Sequence, residues 1–150
     1  MKKIKVLLAA FVLAGMTVVS CSSDDSGPAA TIDGKWNQVK TVVKLGNQSV
    51  TQDYTHETGC DKDYVEFAAS SVYNEVSYNN VGSGDCAANA SDAGTWIKTD
   101  DKLTIANGSQ IASDTYDIKK LSGSDLQLSV TDSNGGISTI TTIYLKKAAN

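Results

Sequence analysis

Leu126-Gln127-Leu128-Ser129-Val130-Thr131 alternates apolar and polar side chains without a break. Successive side chains of an extended strand point to opposite faces, so a period of two marks a strand with one face buried and one in water. Downstream, Asp132-Ser133-Asn134-Gly135-Gly136 supplies turn residues, and Ile137 to Lys146 reads as a last strand. Upstream, Ile111 to Leu121 reads as the preceding strand, with Tyr116 and Ile118 on one face and the Asn107-Gly108 turn before it. Leu103 and Ile105 mark a short strand behind a Thr99-Asp100-Asp101 turn, and Thr95 to Lys98 marks another. A polar loop is expected from Asn79 to Ala93. Val72 to Tyr78, where Val72, Val76 and Tyr78 share a face, follows Tyr64 to Ala68, a weaker Val50 to Tyr54 and a first strand from Trp36 to Leu45.

No window sustains the helical period of apolar residues, and the body is rich in Thr, Val, Ile and Tyr; Pro28, ahead of it, is the single proline of the sequence. About eight strands joined mostly by short reversals make an all-β, antiparallel meander. Closing that meander into a small up-and-down barrel removes both edges. A two-sheet sandwich fits the same pattern.

The beginning of the chain is of another kind. Lys2, Lys3 and Lys5 precede the apolar run Val6 to Val19, which falls short of the roughly 20 apolar residues a membrane-spanning helix needs. The run ends in Val18-Val19-Ser20-Cys21, which resembles the lipobox of bacterial lipoproteins. The resemblance implies that residues 1–20 are a cleaved signal peptide and that Cys21 becomes a lipid-carrying N-terminus, with diacylglyceryl and palmitate-type chains. The competing reading is an ordinary secretory signal with an adventitious cysteine. Each buried methylene contributes about 0.8 kcal/mol, so two or more chains anchor stably. Ser22 to Ala30 has no apolar periodicity and reads as a flexible tether. The expected organisation is therefore a signal peptide at 1–20, a tether at 21–31 and one domain at 32–147. The pair Asp24-Asp25 resembles the surface-export signal of Bacteroidetes lipoproteins, which implies an outer-membrane lipoprotein of the cell envelope facing outward; a plain solvated linker is the alternative.

Cleavage would leave 130 residues, enough for one domain, with ten lysines against 17 acids and no arginine. Such an acidic chain lacks the clustered cations that phosphate contacts require, so nucleic acid is not expected as a partner. Cys60 and Cys86 remain, and in an oxidising envelope an even pair reads as a disulfide contributing roughly 3.5 kcal/mol in the chain-entropy model. A metal or redox pair is the alternative, with His56 as the single nearby nitrogen ligand.

Gly34-Lys35-Trp36, at the start of the first strand, resembles the Gly-x-Trp of lipocalins. The segments Cys60-x-x-Asp63-Tyr64-Val65-Glu66-Phe67, Gly94-Thr95-Trp96, Lys102-Leu103-Thr104-Ile105 and Ile143-Tyr144-Leu145-Lys146-Lys147, with Cys86, resemble the lipocalin-like domain of Bacteroidetes lipoproteins over residues 32 to 147. The resemblance implies an eight-stranded barrel whose glycine, Gly34, lets the chain cross the floor and whose Trp36 plugs it. Lipocalins proper hold that ring under a late arginine; here only Lys146 or Lys147 can stand in. No helix is evident after the last strand, and the body is short for the family. At eight strands a barrel either fills with side chains or admits one small ligand.

His56, Glu57, Cys60, Asp61 and Asp63 form the densest cluster of ligating types, but a metal site needs geometry as well as inventory and the expected disulfide consumes Cys60, so the reading is a solvated polar loop in preference to a metal site. Asp61 with Asp63, and Asp100 with Asp101, lack EF-hand spacing. A lone histidine without a Gly-x-Ser-x-Gly elbow gives no hydrolase triad, and no catalytic residue, metal or cofactor is assigned. Phe67, Tyr73, Tyr78, Trp96 and Tyr116 are the candidate ligand-lining residues; core packing is the other role open to them. The expectation is a membrane-anchored, non-catalytic protein that binds a small hydrophobic ligand. Its rival is a filled barrel acting as a protein-interaction or structural module of the envelope through the 79–93 segment.

Overall fold

The computed structural model describes residues 29–90 and 94–149; the expected signal peptide at 1–20, Cys21 and most of the expected tether lie outside them. Among the described residues there is no helix and there are ten strands: β1 (Gly34–Leu45), β2 (Gln48–Asp53), β3 (Tyr64–Phe67), β4 (Val72–Gly82), β5 (Asp85–Ala90), β6 (Gly94–Thr99), β7 (Lys102–Ala106), β8 (Asp114–Leu121), β9 (Asp125–Asn134) and β10 (Ile137–Lys147). Neighbours pair antiparallel, and β10 returns to β1, from Trp36 opposite Lys147 to Leu45 opposite Thr139. The sheet is therefore a closed barrel and not a sandwich. It has eight strand positions, because β2 and β3 share one edge of β1, and β5 and β6 share one edge of β4.

The strand that decides the fold keeps its alternation. Leu126 and Leu128 are buried and Val130 packs against them, while Gln127 faces outward opposite Tyr144. Val72, Val76 and Tyr78 share a face, as expected; it is the outer one, where Val76 is nonetheless buried, apart from the core cluster. The inner positions of β4 belong to Tyr73 and Glu75, both buried. Asn79–Ala93 is not a loop as far as Ala90: β4 runs on to Gly82 and turns at Ser83-Gly84, both at positive φ, into β5. The expected strand from Ile111 starts later, at Asp114. Ile111 instead sits in a turn segment and is wholly buried.

One end is a closed floor. Trp36 is 0 % exposed, and its indole N–H donates to the Ile32 carbonyl at 2.7 Å. Lys147 Nζ lies 4.4 Å from the indole centroid and donates to the Asp33 carbonyl, so it takes the place of the lipocalin arginine. Burial lowers the pKa of this ammonium, against the pull of Asp33. Gly34 makes room for it: its φ is +109°, and a Cβ there would stand 2.8 Å from Lys147 Nζ. Above the floor Phe67 meets Tyr73 at 5.3 Å between centroids and Trp96 edge-on at 5.7 Å, with Leu103, Ile105 and Leu145 filling the remaining space.

Between β2 and β3 the chain leaves the sheet, and Asp63 stitches it back. Its carboxylate accepts from the Tyr78 N–H at 2.7 Å and the Tyr54 hydroxyl at 3.0 Å, while its own N–H donates to His56 Nδ1. His56 is thus spent on this loop and meets Tyr54 at 4.9 Å between ring centroids in a tilted contact; the Tyr54 hydroxyl is pushed up to about 12 by burial and by Asp63. Cys60 and Cys86 form the expected disulfide, with Cα atoms 5.6 Å apart, and so pin the loop to β5.

Candidate functional site

The β8–β9 ladder runs from Leu121 opposite Leu126 to Asp117 opposite Ser129, and there it stops. Beyond that point β8 stays with β7, as far as Asp114 opposite Ile105, and β9 stays with β10, as far as Asn134 opposite Ile137. The two strands part, and the barrel wall has a seam between Asp114–Tyr116 and Val130–Asn134. The Thr115 N–H is taken up by the neighbouring Asp114 carboxylate at 2.6 Å, which blunts that free edge.

A cleft of about 640 Å³ occupies this seam. Its lining includes side chains from both faces of the wall, which a closed ladder would not permit: Tyr116, Val130 and Asp132 from inside, Thr115, Asp117 and Thr131 from outside. Gln38, Thr41, Thr141 and Ile143 form the inner wall. Thr41 lies opposite Ile143, and Val43 lies opposite both Thr141 and Val50. The inner face therefore continues into the projecting β1–β2 hairpin, where Val43, Leu45 and Val50 are exposed. A bulge between Gln38 and Lys40 lets Gln38 Nε2 reach Thr41 Oγ1 at 3.1 Å. Gln38 Oε1 is buried and has no hydrogen-bond partner among the described residues.

The base of the cleft is the segment 107–113, with Gln110 and Ala112 in the lining and Ile111 driven into the core. Glu75 holds it there. Its carboxylate accepts from the N–H groups of Ser109 at 2.8 Å, Gln110 at 2.9 Å and Ile111 at 3.3 Å, and from the Ser109 hydroxyl. Burial is the largest single influence on this carboxyl and acts to raise its pKa, yet those donors together carry it below the ordinary value. Gly108 fits because a Cβ would meet the Ile111 carbonyl at 2.2 Å. Tyr116 donates to the Ala112 carbonyl at 2.8 Å, and burial, with Asp114 second, pushes its hydroxyl up to about 12.

Of the aromatic residues singled out in the sequence, Tyr116 lines the cleft. Phe67, Tyr73 and Trp96 belong to the closed core below it, and Trp96 donates to the Ala68 carbonyl at 3.0 Å. Tyr78 faces outward, beside Lys35, Lys62 and Tyr64 in a separate recess. The polar lining, Gln38 and Thr41 above all, was missed, as was Glu75. Among the described residues no three His, Cys, Asp or Glu side chains gather as a metal site. The cleft offers shape, apolar contact, hydrogen bonding and charge.

A barrel closed from β10 to β1 with a glycine-tryptophan floor is the architecture the sequence resemblance implies. The family described as a lipocalin-like domain matches residues 32–128, from the buried Ile32 into β9. The chain belongs to the lipocalin-like domain family. No curated protein sequence matches it. As in other small barrels, the lipocalin-like interior is shared between packed side chains and space; here the floor half is packed and the cleft lies above the 107–113 segment.

Proposed function

We propose that this lipocalin-like protein is a non-catalytic binding module, held at a membrane through lipid on Cys21, that takes one small amphipathic molecule into the seam cleft. The observation that carries the binding reading is the cleft itself: about 640 Å³ with apolar Tyr116, Val130 and Ile143 beside polar Gln38, Thr41 and Thr141. That size and mixture suit a small ligand with an apolar body and a polar end. Binding needs no covalent step and no cofactor. The anchor rests on Lys2, Lys3, Lys5, the Val6–Val19 run and Ser20-Cys21. An outward-facing outer-membrane position is part of the proposal and rests on Asp24-Asp25.

An environment-sensitive fluorophore of the naphthalene class should bind the purified protein at one site, and an organic extract should yield a recurrent small molecule by mass spectrometry. Val130→Trp, which fills the cleft from its inner wall, should abolish both while leaving the melting transition within a few degrees. Equal probe binding by wild type and variant would place the ligand elsewhere. Metabolic labelling with palmitate tests the anchor: label is expected on wild type and not on Cys21→Ser, and equal labelling would refute it.

A further inference from the structure

The charge of the cleft narrows the class of molecule it takes, an inference that rests on the binding reading above. Four lining side chains are charged: Lys102, Asp114, Asp117 and Asp132. Lys102 is already engaged by Asp117, which also receives Lys119 at 3.0 Å. Asp114 and Asp132 have no cationic partner among the described residues, and they stand on the two strands that part at the seam, one on each lip. A concave wall of low polarisability focuses the field of such charges into the space between them. Independently, Gln38, whose amide N–H donates to Thr41 Oγ1, has a buried Oε1 beside the cleft that accepts no hydrogen bond among the described residues. Buried acceptors of this kind call for a donor from water or ligand. Two carboxylates without a cation thus flank the cleft, while Val130, Ile143 and Tyr116 supply apolar lining between them.

We infer that the cleft selects amphipathic organic amines: a protonated nitrogen held between Asp114 and Asp132 at the seam, with the apolar body lying inward on Val130 and Ile143. Asp114 and Asp132 are both exposed, so they discriminate by field: they attract the ammonium, give a neutral molecule of the same body nothing and repel an anionic one.

The test is a matched pair of probes, a dansyl alkylamine and a dansyl alkylcarboxylate of equal chain length, titrated by fluorescence into the purified protein. The amine should bind at least tenfold more tightly, with a dissociation constant that rises as salt is added. In the double variant Asp114→Asn, Asp132→Asn the amine should lose at least tenfold and the carboxylate should gain, while Val130→Trp should abolish both. Asp132→Asn alone, which keeps the Asp114 bond to the Thr115 N–H, should show part of the loss, and this guards against a folding defect in the double variant. Equal binding of the two probes by wild type, unchanged in the variants but abolished by Val130→Trp, would overturn the charge selection and leave the cleft as a binding site. Absence of binding by either probe would overturn the binding reading with it.

Discussion

Replacing Glu75 by alanine removes the acceptor that holds three consecutive backbone N–H groups. Ser109 is exposed and its N–H can turn to water, but Ile111 is 0 % exposed and Gln110 half-buried, so their donors are stranded. A buried donor left without a partner costs about 1–3 kcal/mol. Two of them, offset by the relief of no longer burying a carboxylate, put the loss at about 3 kcal/mol, a large part of the roughly 5–15 kcal/mol a small domain has. The effect depends on pH with a definite sign. The folded-state pKa of Glu75 lies below its unfolded value, so its contribution is fully present above an unfolded pKa of about 4.3 and is lost as pH falls through the folded value. Asp117 and Asp125 are likewise depressed by their lysine partners, so wild type as a whole weakens in acid. The difference between wild type and Glu75→Ala isolates this one carboxyl. Urea melts followed by tryptophan fluorescence, at pH 7 and in steps down to pH 3, should show a gap near 3 kcal/mol that shrinks on acidification at constant m-value. A gap below about 1 kcal/mol at pH 7, or one indifferent to pH, would refute the role given to Glu75.

Trp36→Ala should cost about 3–5 kcal/mol in the same melts, since the ring is wholly buried and its N–H bond to Ile32 goes with it; a loss near zero would remove it as the floor plug. Opening the Cys60–Cys86 bridge, by reduction or paired Cys→Ser substitution, should cost about 3.5 kcal/mol for a separation of 26 residues. Identical melting of the reduced and oxidised protein would show that Asp63 alone suffices to hold the 54–63 loop.

The barrel was legible wherever one side chain in two met the core. Leu126 and Leu128 alternate because a strand with one wet face must, and Gly34 and Trp36 mark the floor because few other residues fit there. Cys60 and Cys86 were legible from parity and from the oxidising compartment the first residues led us to expect. Glu75 was not. A carboxylate on a strand reads as solvent-facing, and the groups that make its burial tolerable are backbone N–H groups 34 to 36 residues away, which carry no side-chain signature. Val72, Val76 and Tyr78 do share a face, but the pattern did not reveal that the inner face of β4 is the other one, because a buried acid sits on it. The cleft was invisible because a seam arises from where a ladder stops, and the residues lining it, Gln38 and Thr41 among them, look like any outward polar positions. The aromatic residues drew attention toward Phe67, Tyr73 and Trp96, whose ring contacts satisfy one another and close the space they might have opened.

Lys147 lies over Trp36, and the Ala148 N–H donates to the Lys35 carbonyl at 2.9 Å, so the two ends of the fold emerge side by side at the floor. Such adjacency invites circular permutation: a short linker could join them, with new termini cut at the Gly135-Gly136 reversal on the far side of the molecule. A fusion partner or surface tether attached at either end of the fold would hang beneath the barrel and leave the opposite rim unobstructed, which makes the domain a ready-oriented scaffold for display.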